Sequence, residues 1–343
     1  MRIIAGRYKG KRLLSPKGED VRPTTSRIKE TLFNVLQRDV PDARVLDLFA
    51  GSGSLGIECI SRGAEHVTFS DKSKDSVALI RENLKGIDGY YSIVNSDFTA
   101  VLNGAAYNGY KYDLIFLDPP YASNLGEMAI DRIIENGLLT DRGIIVYEHG
   151  SEKSYVVTDN GYKQRTKKMG SVTAEFISQK SIALMAGSFD PITRGHEAVL
   201  DEALRMFDEV IVACLVNPDK SYTFNPSQRL ALVQSVCKDK KGAKAIYSEK
   251  YAVEVAAECG AKVLVRGLRG ESDAEYENAM AEYNREHGYD TVFIEPDCYA
   301  DISSTSVRGQ LRVENYSCVP AATIPLLMTE EYKEQIASNS PIS

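Results

Sequence analysis

Two short segments of the sequence contain residue types that could do chemistry. The first, Asp118-Pro119-Pro120-Tyr121, directly follows an apolar run at residues 112–117. The amino group of a nucleobase is a poor nucleophile, because its lone pair is delocalised into the ring. A carboxylate and a carbonyl fixed by two prolines could accept its two N–H bonds, while an aromatic ring stacks on a base taken out of its stack. We interpret this segment as a site for chemistry on a base amino group rather than as a rigid Pro-Pro turn.

The second segment stands in the middle of the chain and reads Gly187-Ser188-Phe189-Asp190-Pro191-Ile192-Thr193-Arg194-Gly195-His196. It follows an apolar run at 182–185 and precedes a run with helical periodicity. A strand, a glycine turn and a helix N-terminus form a phosphate cradle, because the helix offers unpaired N–H groups and a positive dipole end. His196 adds an imidazole that could point at the phosphates. Because such a pattern normally opens a domain, we expect a complete domain before it.

Length and composition agree with two domains. The chain has 343 residues, of which 43% are hydrophobic. This length and composition are sufficient for two separate hydrophobic cores. Neither a membrane span nor the apolar region of a signal peptide is evident, so we expect a cytoplasmic protein. The six cysteines contain no C-x-x-C pair and no metal-ligand spacing, so we predict reduced thiols and no protein-held metal site.

The net charge of −7 is distributed unevenly along the chain. Residues 1–180 carry +2 and residues 181–343 carry −9, whereas residues 1–30 alone carry +6. The nine cations of this basic segment are Arg2, Arg7, Lys9, Lys11, Arg12, Lys17, Arg22, Arg27 and Lys29. A run of charge is usually a solvated face. Beside a segment suited to base chemistry, however, it favours contact with nucleic-acid phosphates.

Polar residues in the first half follow a series of predicted strands. Asp47, Gly51 and Gly53 come at and after one buried strand, and Asp71, Asp97 and Asp118 follow the next three. A glycine turn after a strand lets the backbone approach a nucleoside, although a G-x-G by itself is weak evidence. An acid about twenty positions later is placed to bind ribose hydroxyls, although it is equally compatible with a plain strand end. Because ligands of open α/β sheets sit at the carboxyl ends of strands, we expect these acids to share one crevice.

Across residues 1–178 the sequence resembles the small-subunit rRNA guanine-N2 methyltransferases, on the segments 2–6, 22–34, 47–53 and 118–121. The resemblance implies S-adenosylmethionine as methyl donor and 16S rRNA or the small ribosomal subunit as partner. By position, it implies that Asp47, Gly51 and Gly53 line the methionine part of the cofactor, that Asp71 binds its ribose and that Asp97 binds its adenine. It also implies that the target guanine is bound by Asp118, Pro119, Pro120 and Tyr121. The alternative is a DNA adenine-N6 methyltransferase, since Asp-Pro-Pro-Tyr serves both bases. A hairpin at residues 162–178 is expected to close the sheet.

Strands and helices also alternate through the second half. Apolar runs at 182–185, 210–216, 245–247, 262–265 and 291–294 predict a second parallel sheet. Polar groups again follow the strands, namely Ser188, His196, Lys220, Arg266, Arg269 and residues 303–308. Several cations beside a Ser/Thr-rich helix start, in a half with net charge −9, indicate a polyphosphate pocket.

Residues 182 to about 333 resemble the phosphopantetheine adenylyltransferases, on the segments 187–196, 265–269 and 302–305. The resemblance implies adenylyl transfer from ATP to 4′-phosphopantetheine, giving dephospho-coenzyme A and pyrophosphate, with Mg²⁺ bridging phosphates. His196 would stabilise charge on the α-phosphate, Ser188 and Lys220 would orient the reactants, and Arg266 would hold the phosphopantetheine phosphate. Ser303, Ser304, Thr305 and Arg308 would hold the β- and γ-phosphates. Further binding candidates from these motifs are Gly187, Phe189, Gly267, Arg269 and Glu277. Another adenylyl- or cytidylyltransferase is the alternative.

The predicted architecture is α/β, with two doubly wound domains. Residues 1–180 form a Rossmann-like methyltransferase domain, and residues 181–343 form a Rossmann-like nucleotidyltransferase domain. The second family typically forms hexamers, so we expect a homo-oligomer through the second half. A different possibility is that one half is inactive and serves as a binding or assembly module.

Overall fold

The structure is a computed structural model, and it describes residues 1–15, 26–120, 123–217, 220–268, 271–295 and 302–338. Side chains are described throughout these ranges except at 271–276. The chain divides into two compact units, Met1–Gln179 and Lys180–Ser343. We call these the first unit and the second unit and describe each by itself.

Within its described residues, the first unit contains seven strands in one sheet. The strands are β1 (Arg44–Asp47), β2 (His66–Asp71), β3 (Tyr91–Asn95), β4 (Tyr112–Leu117), β5 (Leu139–Gly150), β6 (Tyr162–Met169) and β7 (Val172–Gln179). The helices are α1 (Ser26–Val35), α2 (Ser54–Ser61), α3 (Lys74–Asn83), α4 (Phe98–Tyr107) and α5 (Leu125–Glu135). The strand order is β3-β2-β1-β4-β5-β7-β6, in which β1 to β5 are parallel and β7 is antiparallel to both neighbours. The doubly wound sheet and its closing hairpin are therefore confirmed.

Apolar side chains cover both faces of this sheet, as expected for strands buried between two layers of helices. Residues from α1, α2 and α3 pack on one face in a cluster around Phe69 and Phe116. Residues from α4 and α5 pack on the other face around Ile115 and Tyr147. Burial on both faces fixes the strand register, and the register brings the carboxyl ends of β1, β2 and β4 together.

The N-terminal residues are held by a side chain of α2 rather than by an edge of the sheet. Residues 1–13 form a small hairpin of their own, with a single bridge between Arg2 and Arg12. The N–H groups of Ile4 and Ala5 donate to the carboxylate of Glu58 at 2.8 and 2.9 Å instead of pairing with a strand. A buried carboxylate on α2 therefore competes successfully for the backbone donors that a sheet edge would have used.

Lys29 also departs from the sequence expectation, which counted it among the cations facing nucleic acid. Its side chain is 1% exposed, and its ammonium group lies 3.1 Å from Glu58 and 2.8 Å from the carbonyl of Arg2. Burial lowers the pKa of Lys29, and the charge of Glu58 opposes that change. Lys29 therefore anchors the N-terminal hairpin and cannot contact a phosphate at the surface.

The second unit contains a five-stranded parallel sheet within its described residues. The strands are β8 (Ile182–Gly187), β9 (Glu209–Leu215), β10 (Ala243–Ser248), β11 (Val263–Gly267) and β12 (Asp290–Ile294), in the order β10-β9-β8-β11-β12. The helices are α6 (Arg194–Met206), α7 (Pro226–Cys237), α8 (Ala252–Cys259), α9 (Glu271–Glu286), α10 (Ser304–Leu311), α11 (Ile324–Leu327) and α12 (Glu330–Ser338). A 3₁₀ turn at Ala321–Thr323 precedes α11. The second doubly wound sheet is thereby confirmed.

Local sequence signals fix the helix starts of this unit. Thr193 accepts the N–H of His196 at the start of α6, and Asn225 accepts the N–H of Gln228 at the start of α7. Pro226 occupies the first turn of α7, where the missing N–H of proline has no intrahelical partner to lose. The central strand β8 ends at Gly187 and α6 begins at Arg194, so the turn between them lies over the switch point of the sheet.

Candidate active sites

The glycine turn of the first unit holds two acids through backbone hydrogen bonds. Gly51 donates its N–H to Asp71 at 2.9 Å, and Gly56 donates its N–H to Asp47 at 3.0 Å. Gly53 caps α2 with a left-handed backbone (φ 76°), a conformation that glycine adopts without a steric cost. Asp47 and Asp71, predicted from separate strands, are therefore brought to the same turn.

Asp47 lies in an environment that disfavours the charged form of its carboxyl group. Its side chain is buried at the end of β1, and this burial raises its pKa to about 7. The hydrogen bond from Gly56 opposes the rise, whereas the charges of Asp118 and Asp71 add to it. A group with a pKa near neutrality can gain or lose its proton when a charged ligand binds beside it.

Asp97 lies at the start of α4, one strand beyond Asp71. It is exposed, and its carboxylate accepts the N–H of Thr99 at 2.8 Å. The amide of Asn95, at the end of β3, donates to the carbonyls of Asp71 and Lys72. The ends of β2 and β3 are thus tied together at the rim of the crevice.

The Asp-Pro-Pro segment continues directly from β4. Asp118 is half-buried and Pro119 is buried, while Pro120 is exposed. The carbonyl of Pro120 accepts both the N–H of Ser123 at 3.0 Å and its hydroxyl at 2.6 Å. Lys153 donates to the carbonyl of Ser123 at 3.0 Å, so the segment after β5 helps to hold this loop. Tyr121 lies outside the described residues.

Sequence reasoning missed one residue of this site, Glu148 on β5. Leu117 pairs with Tyr147, so Glu148 stands beside Asp118 at the next position of the register. Burial, followed by the charges of Asp118 and Asp47, raises the pKa of Glu148 well above its ordinary range. A carboxyl group within an apolar strand could have indicated a functional residue, but Glu148 belongs to none of the motifs that the sequence analysis used.

In the second unit, His196 lies in the first turn of α6. Its Nδ1 accepts the backbone N–H of Thr193 at 3.1 Å and contacts the Thr193 hydroxyl at 3.0 Å. The neutral ring therefore carries its proton on Nε2. The ring of Phe189 packs edge-on against it at 5.1 Å. These contacts orient a hydrogen-bond donor at a helix N-terminus, where anions are favoured.

Phe189 itself is buried and adopts a left-handed backbone (φ 47°). A side chain at Gly187 would come within 3.0 Å of its ring, which explains the glycine there. The structure therefore gives the Phe189 ring a packing contact with His196. Backbone strain of this kind is characteristic of functional turns.

Asp190 is a second residue whose importance is clearer in the structure than in the sequence. Its buried carboxylate accepts the N–H groups of Thr223 and Phe224, both at 2.9 Å. Arg308 donates to the Asp190 carbonyl at 2.8 Å and also contacts the hydroxyl of Thr305 at 3.0 Å. Asp190 thus connects the turn after β8 with the segment before α7 and with Arg308 in the last turn of α10.

Arg229 lies beneath the same turn and was not predicted. It is fully buried in α7, donates to the carbonyl of Ser188 at 2.6 Å and to that of Leu215 at 3.1 Å, and stacks on Tyr222. A helical arginine normally reads as a surface residue, so its sequence gave no signal. Arg229 fixes the ends of β8 and β9 relative to each other.

The remaining predicted residues of this unit lie around the same ends of the sheet. Arg266, at the end of β11, forms a two-point ion pair with Glu277 of α9, in which Nη2 and Oε1 are 3.1 Å apart. Ser303 caps α10, and Ser304 donates to the carbonyl of Pro191 at 2.9 Å. Gly267 ends β11, Lys220 is exposed after β9, and Arg269 lies outside the described residues.

Two kinds of feature are absent from the described part of the chain. No helix there is long and apolar enough to cross a membrane. No group of three or more His, Cys, Asp or Glu side chains there could hold a metal ion.

Comparison with known proteins identifies both units. A model of the family described as Conserved hypothetical protein 95 matches residues 1–178, and one described as Cytidylyltransferase-like matches residues 184–310. The ribosomal RNA small subunit methyltransferase D of Haemophilus influenzae is 36% identical over 180 residues, covering 50% of this chain and 91% of that protein. The Escherichia coli protein of the same name is 36% identical over 174 residues, covering 50% of this chain and 86% of its own. The phosphopantetheine adenylyltransferase of Clostridium novyi is 42% identical over 130 residues, covering 37% of this chain and 81% of its own.

The chain therefore joins members of two enzyme families. The first unit belongs to the small subunit rRNA methyltransferase D family, and the second belongs to the phosphopantetheine adenylyltransferase family. Both resemblances inferred from the motifs are confirmed.

Proposed function

We propose that the chain is a bifunctional enzyme. Its first unit transfers a methyl group from S-adenosylmethionine to N2 of a guanine in 16S rRNA. Its second unit transfers the adenylyl group of ATP to 4′-phosphopantetheine, giving dephospho-coenzyme A and pyrophosphate. The observation that carries the proposal is that each unit has its own α/β sheet, with its candidate site residues at the strand ends, and its own set of relatives from a different enzyme family.

The first unit has groups that suit S-adenosylmethionine. The backbone at Gly51 and Gly53 would let the cofactor approach closely. Asp71 and Asp97 would offer carboxylates to its ribose hydroxyls and its adenine. Asp47, with its pKa of about 7, would become charged beside the cationic methionine end. When bound, the cofactor supplies a methyl group on a positively charged sulfur. These roles rest on the placement of Asp47 and Asp71 beside the glycine turn and of Asp97 at the start of α4.

The target amino group would be held by Asp118 and by a proline carbonyl. The Pro120 carbonyl already accepts two bonds from Ser123, so we assign this role to the carbonyl of Pro119. Two acceptors would orient the nitrogen lone pair toward the methyl group. As the amino nitrogen takes the methyl group, the bond between that carbon and the sulfur of the donor would break, and Asp118 would accept the proton that the amino nitrogen releases.

The basic N-terminal segment offers cations for the RNA backbone. Arg2, Arg7, Lys9 and Arg12 are exposed, whereas Lys29 is buried and is removed from this set. Lys11 already donates a hydrogen bond to the carbonyl of Lys85, so its ammonium group is less available to RNA. Phosphate contacts position RNA without reading its sequence, so we assign this segment to docking rather than to the choice of guanine.

Adenylyl transfer in the second unit would follow from position and charge. An oxygen of the phosphopantetheine phosphate attacks the α-phosphorus, and the bond to the β-phosphate oxygen breaks. The Nε2–H of His196 would donate to an α-phosphate oxygen as charge develops there. Arg266, oriented by Glu277, would hold the acceptor phosphate.

Further groups would bind the leaving pyrophosphate. The hydroxyls near the start of α10 would take this role. Ser188, whose carbonyl accepts a hydrogen bond from Arg229, and the exposed Lys220 would orient the reactants. Mg²⁺ would enter with ATP, without a protein-held site of its own, and would supply positive charge to the phosphates. We also propose that the units fold independently and that the second carries the contacts of a homo-oligomer.

Product analysis tests both assignments against their alternatives. The intact protein is supplied with labelled S-adenosylmethionine and either small-subunit rRNA or DNA, and the methylated nucleoside is identified by mass spectrometry. We expect N2-methylguanosine from RNA. N6-methyladenine from DNA would favour the alternative. The second unit should convert 4′-phosphopantetheine with ATP, and preference for CTP or for another acceptor would contradict the proposal.

A further inference from the structure

Glu148 is a buried carboxyl that the proposed reaction leaves without a role. Its side chain is 1% exposed, and neither of its oxygens has a hydrogen-bond partner among the residues that the structure describes. Buried carboxyl groups in native proteins are almost always hydrogen-bonded, so an orphaned one requires an explanation. Its position beside Asp118 in the register suggests that the explanation lies in the active site.

Among the described residues, the charges that act on Glu148 belong to two other carboxyl groups. Asp118 follows the neighbouring strand β4, and Asp47 ends β1, one strand further away. On the other side, its partner in β7 is Ala174. Lys29, a buried cation on α1, which packs on this sheet, is already held by Glu58 and by the carbonyl of Arg2.

Three carboxyl groups so placed cannot all be ionised cheaply. Asp118 is half-buried, whereas Asp47 and Glu148 are fully buried. The negative charge is therefore most stable on Asp118, which is also the residue that must accept a hydrogen bond from the target amino group. The raised pKa values of Asp47 and Glu148 agree with this distribution of protons.

We propose that Glu148 is a neutral positioning residue for Asp118. Its O–H donates to one carboxylate oxygen of Asp118 when the target base is bound, and this turns the other oxygen toward the amino group. Catalytic hydrogen bonds are often long in ligand-free structures and tighten in the complex. This inference rests on the proposed methyl transfer but adds a residue to it.

Two substitutions of Glu148 distinguish the effect of its hydrogen-bond donor from the effect of its volume. Glu148→Gln keeps a donor of similar shape, so we expect its kcat for methyl transfer to stay within about threefold of the wild type. Glu148→Leu removes the donor, so we expect kcat to fall roughly 10- to 100-fold while the affinity for S-adenosylmethionine is retained. Equal kcat values for Glu148→Leu and the wild type would overturn the proposal, as would equal losses in both variants.

The pH profile supplies a readout that a purely structural role would not change. Loss of the Glu148 proton at alkaline pH should reduce wild-type kcat, and Glu148→Gln, which cannot ionise, should lack this decline. Glu175→Gln is the matched control, because Glu175 is also buried but pairs with His149. It should keep the alkaline decline. An unchanged decline in Glu148→Gln would overturn the proposal, even if Glu148→Leu fails to fold.

An infrared measurement distinguishes failure of this inference from failure of the proposed function. The difference spectrum between the wild type and Glu148→Gln at neutral pH should contain the carbonyl stretch of one protonated carboxylic acid, because the contribution of Asp47 is common to both proteins and cancels. If the band is absent, Glu148 is ionised and the inference is wrong, whatever the enzyme methylates. If the band is present but no RNA is methylated, the proposed function is the part that fails.

Discussion

Replacing Asp47 by Asn should make the first unit more stable above neutral pH. In the folded protein the pKa of Asp47 is raised from its ordinary value of 3.8 to about 7, chiefly by burial. At about 1.4 kcal/mol per pH unit, this difference corresponds to about 4 kcal/mol. The folded state binds the proton more tightly than the unfolded state, so the stabilisation is complete below about pH 4 and is lost as the pH rises to about 7.

Asn cannot ionise and can still accept the N–H of Gly56 through its amide oxygen. We therefore expect Asp47→Asn to unfold like the wild type near pH 4 and to be more stable by up to about 4 kcal/mol at pH 8. The same substitution should weaken binding of S-adenosylmethionine roughly 10- to 100-fold, because it removes a charge-assisted hydrogen bond to a cationic ligand.

Cys59 makes this measurement possible in the intact chain. It is buried in α2 and is the only cysteine among residues 1–180. Brief thiol labelling after equilibration in urea, followed by mass spectrometry of its peptide, reports unfolding of the first unit alone. Calorimetry gives the cofactor affinity. Equal urea midpoints for wild type and Asp47→Asn at pH 8, or a variant less stable there, would refute the argument from burial.

Three further outcomes are expected. Asp118→Ala should abolish methyl transfer while calorimetry finds the affinity for S-adenosylmethionine within about threefold of the wild type; loss of cofactor binding would contradict its assignment to the target base. His196→Ala should slow dephospho-coenzyme A synthesis by at least about 100-fold without affecting methyl transfer, and retention of most of the rate would remove its proposed role. Replacing Arg7, Lys9 and Arg12 together by Ala should weaken RNA binding and reduce the slope of log K against log salt by about 2; an unchanged slope would make the segment an ordinary solvated face.

The positions of the strand-end acids could be predicted because a parallel sheet brings the carboxyl ends of its strands together. Asp47 and Asp71 meet at one glycine turn although they are 24 positions apart. Similarly, the Thr193 and Asn225 caps follow from local sequence. In each of these cases the determining interactions are local or follow directly from topology.

Burial of individual polar side chains was harder to predict. Lys29 lies at helical spacing from Leu32, Phe33 and Leu36, so its inward position could have been inferred, but its charge suggested the surface. Arg229 gave no such signal, because its partners are carbonyls at the ends of two strands.

Glu148 shows the same difficulty within the site. Its significance depends on the neighbouring strand, since Asp118 is about thirty positions away in sequence and becomes adjacent only through the register of β4 and β5. The ion pair between Arg266 and Glu277 also joins a strand end to a helix, and motif reading named both residues without predicting that they bind each other.

The most direct test of the central claim is product analysis with one preparation of the intact chain and two single variants. Supplied together with S-adenosylmethionine, small-subunit rRNA, ATP and 4′-phosphopantetheine, the wild type should yield both N2-methylguanosine and dephospho-coenzyme A. Asp118→Ala should yield only dephospho-coenzyme A, and His196→Ala should yield only N2-methylguanosine. A wild type that forms only one product, or a variant that loses both, would contradict a chain with two independent active sites.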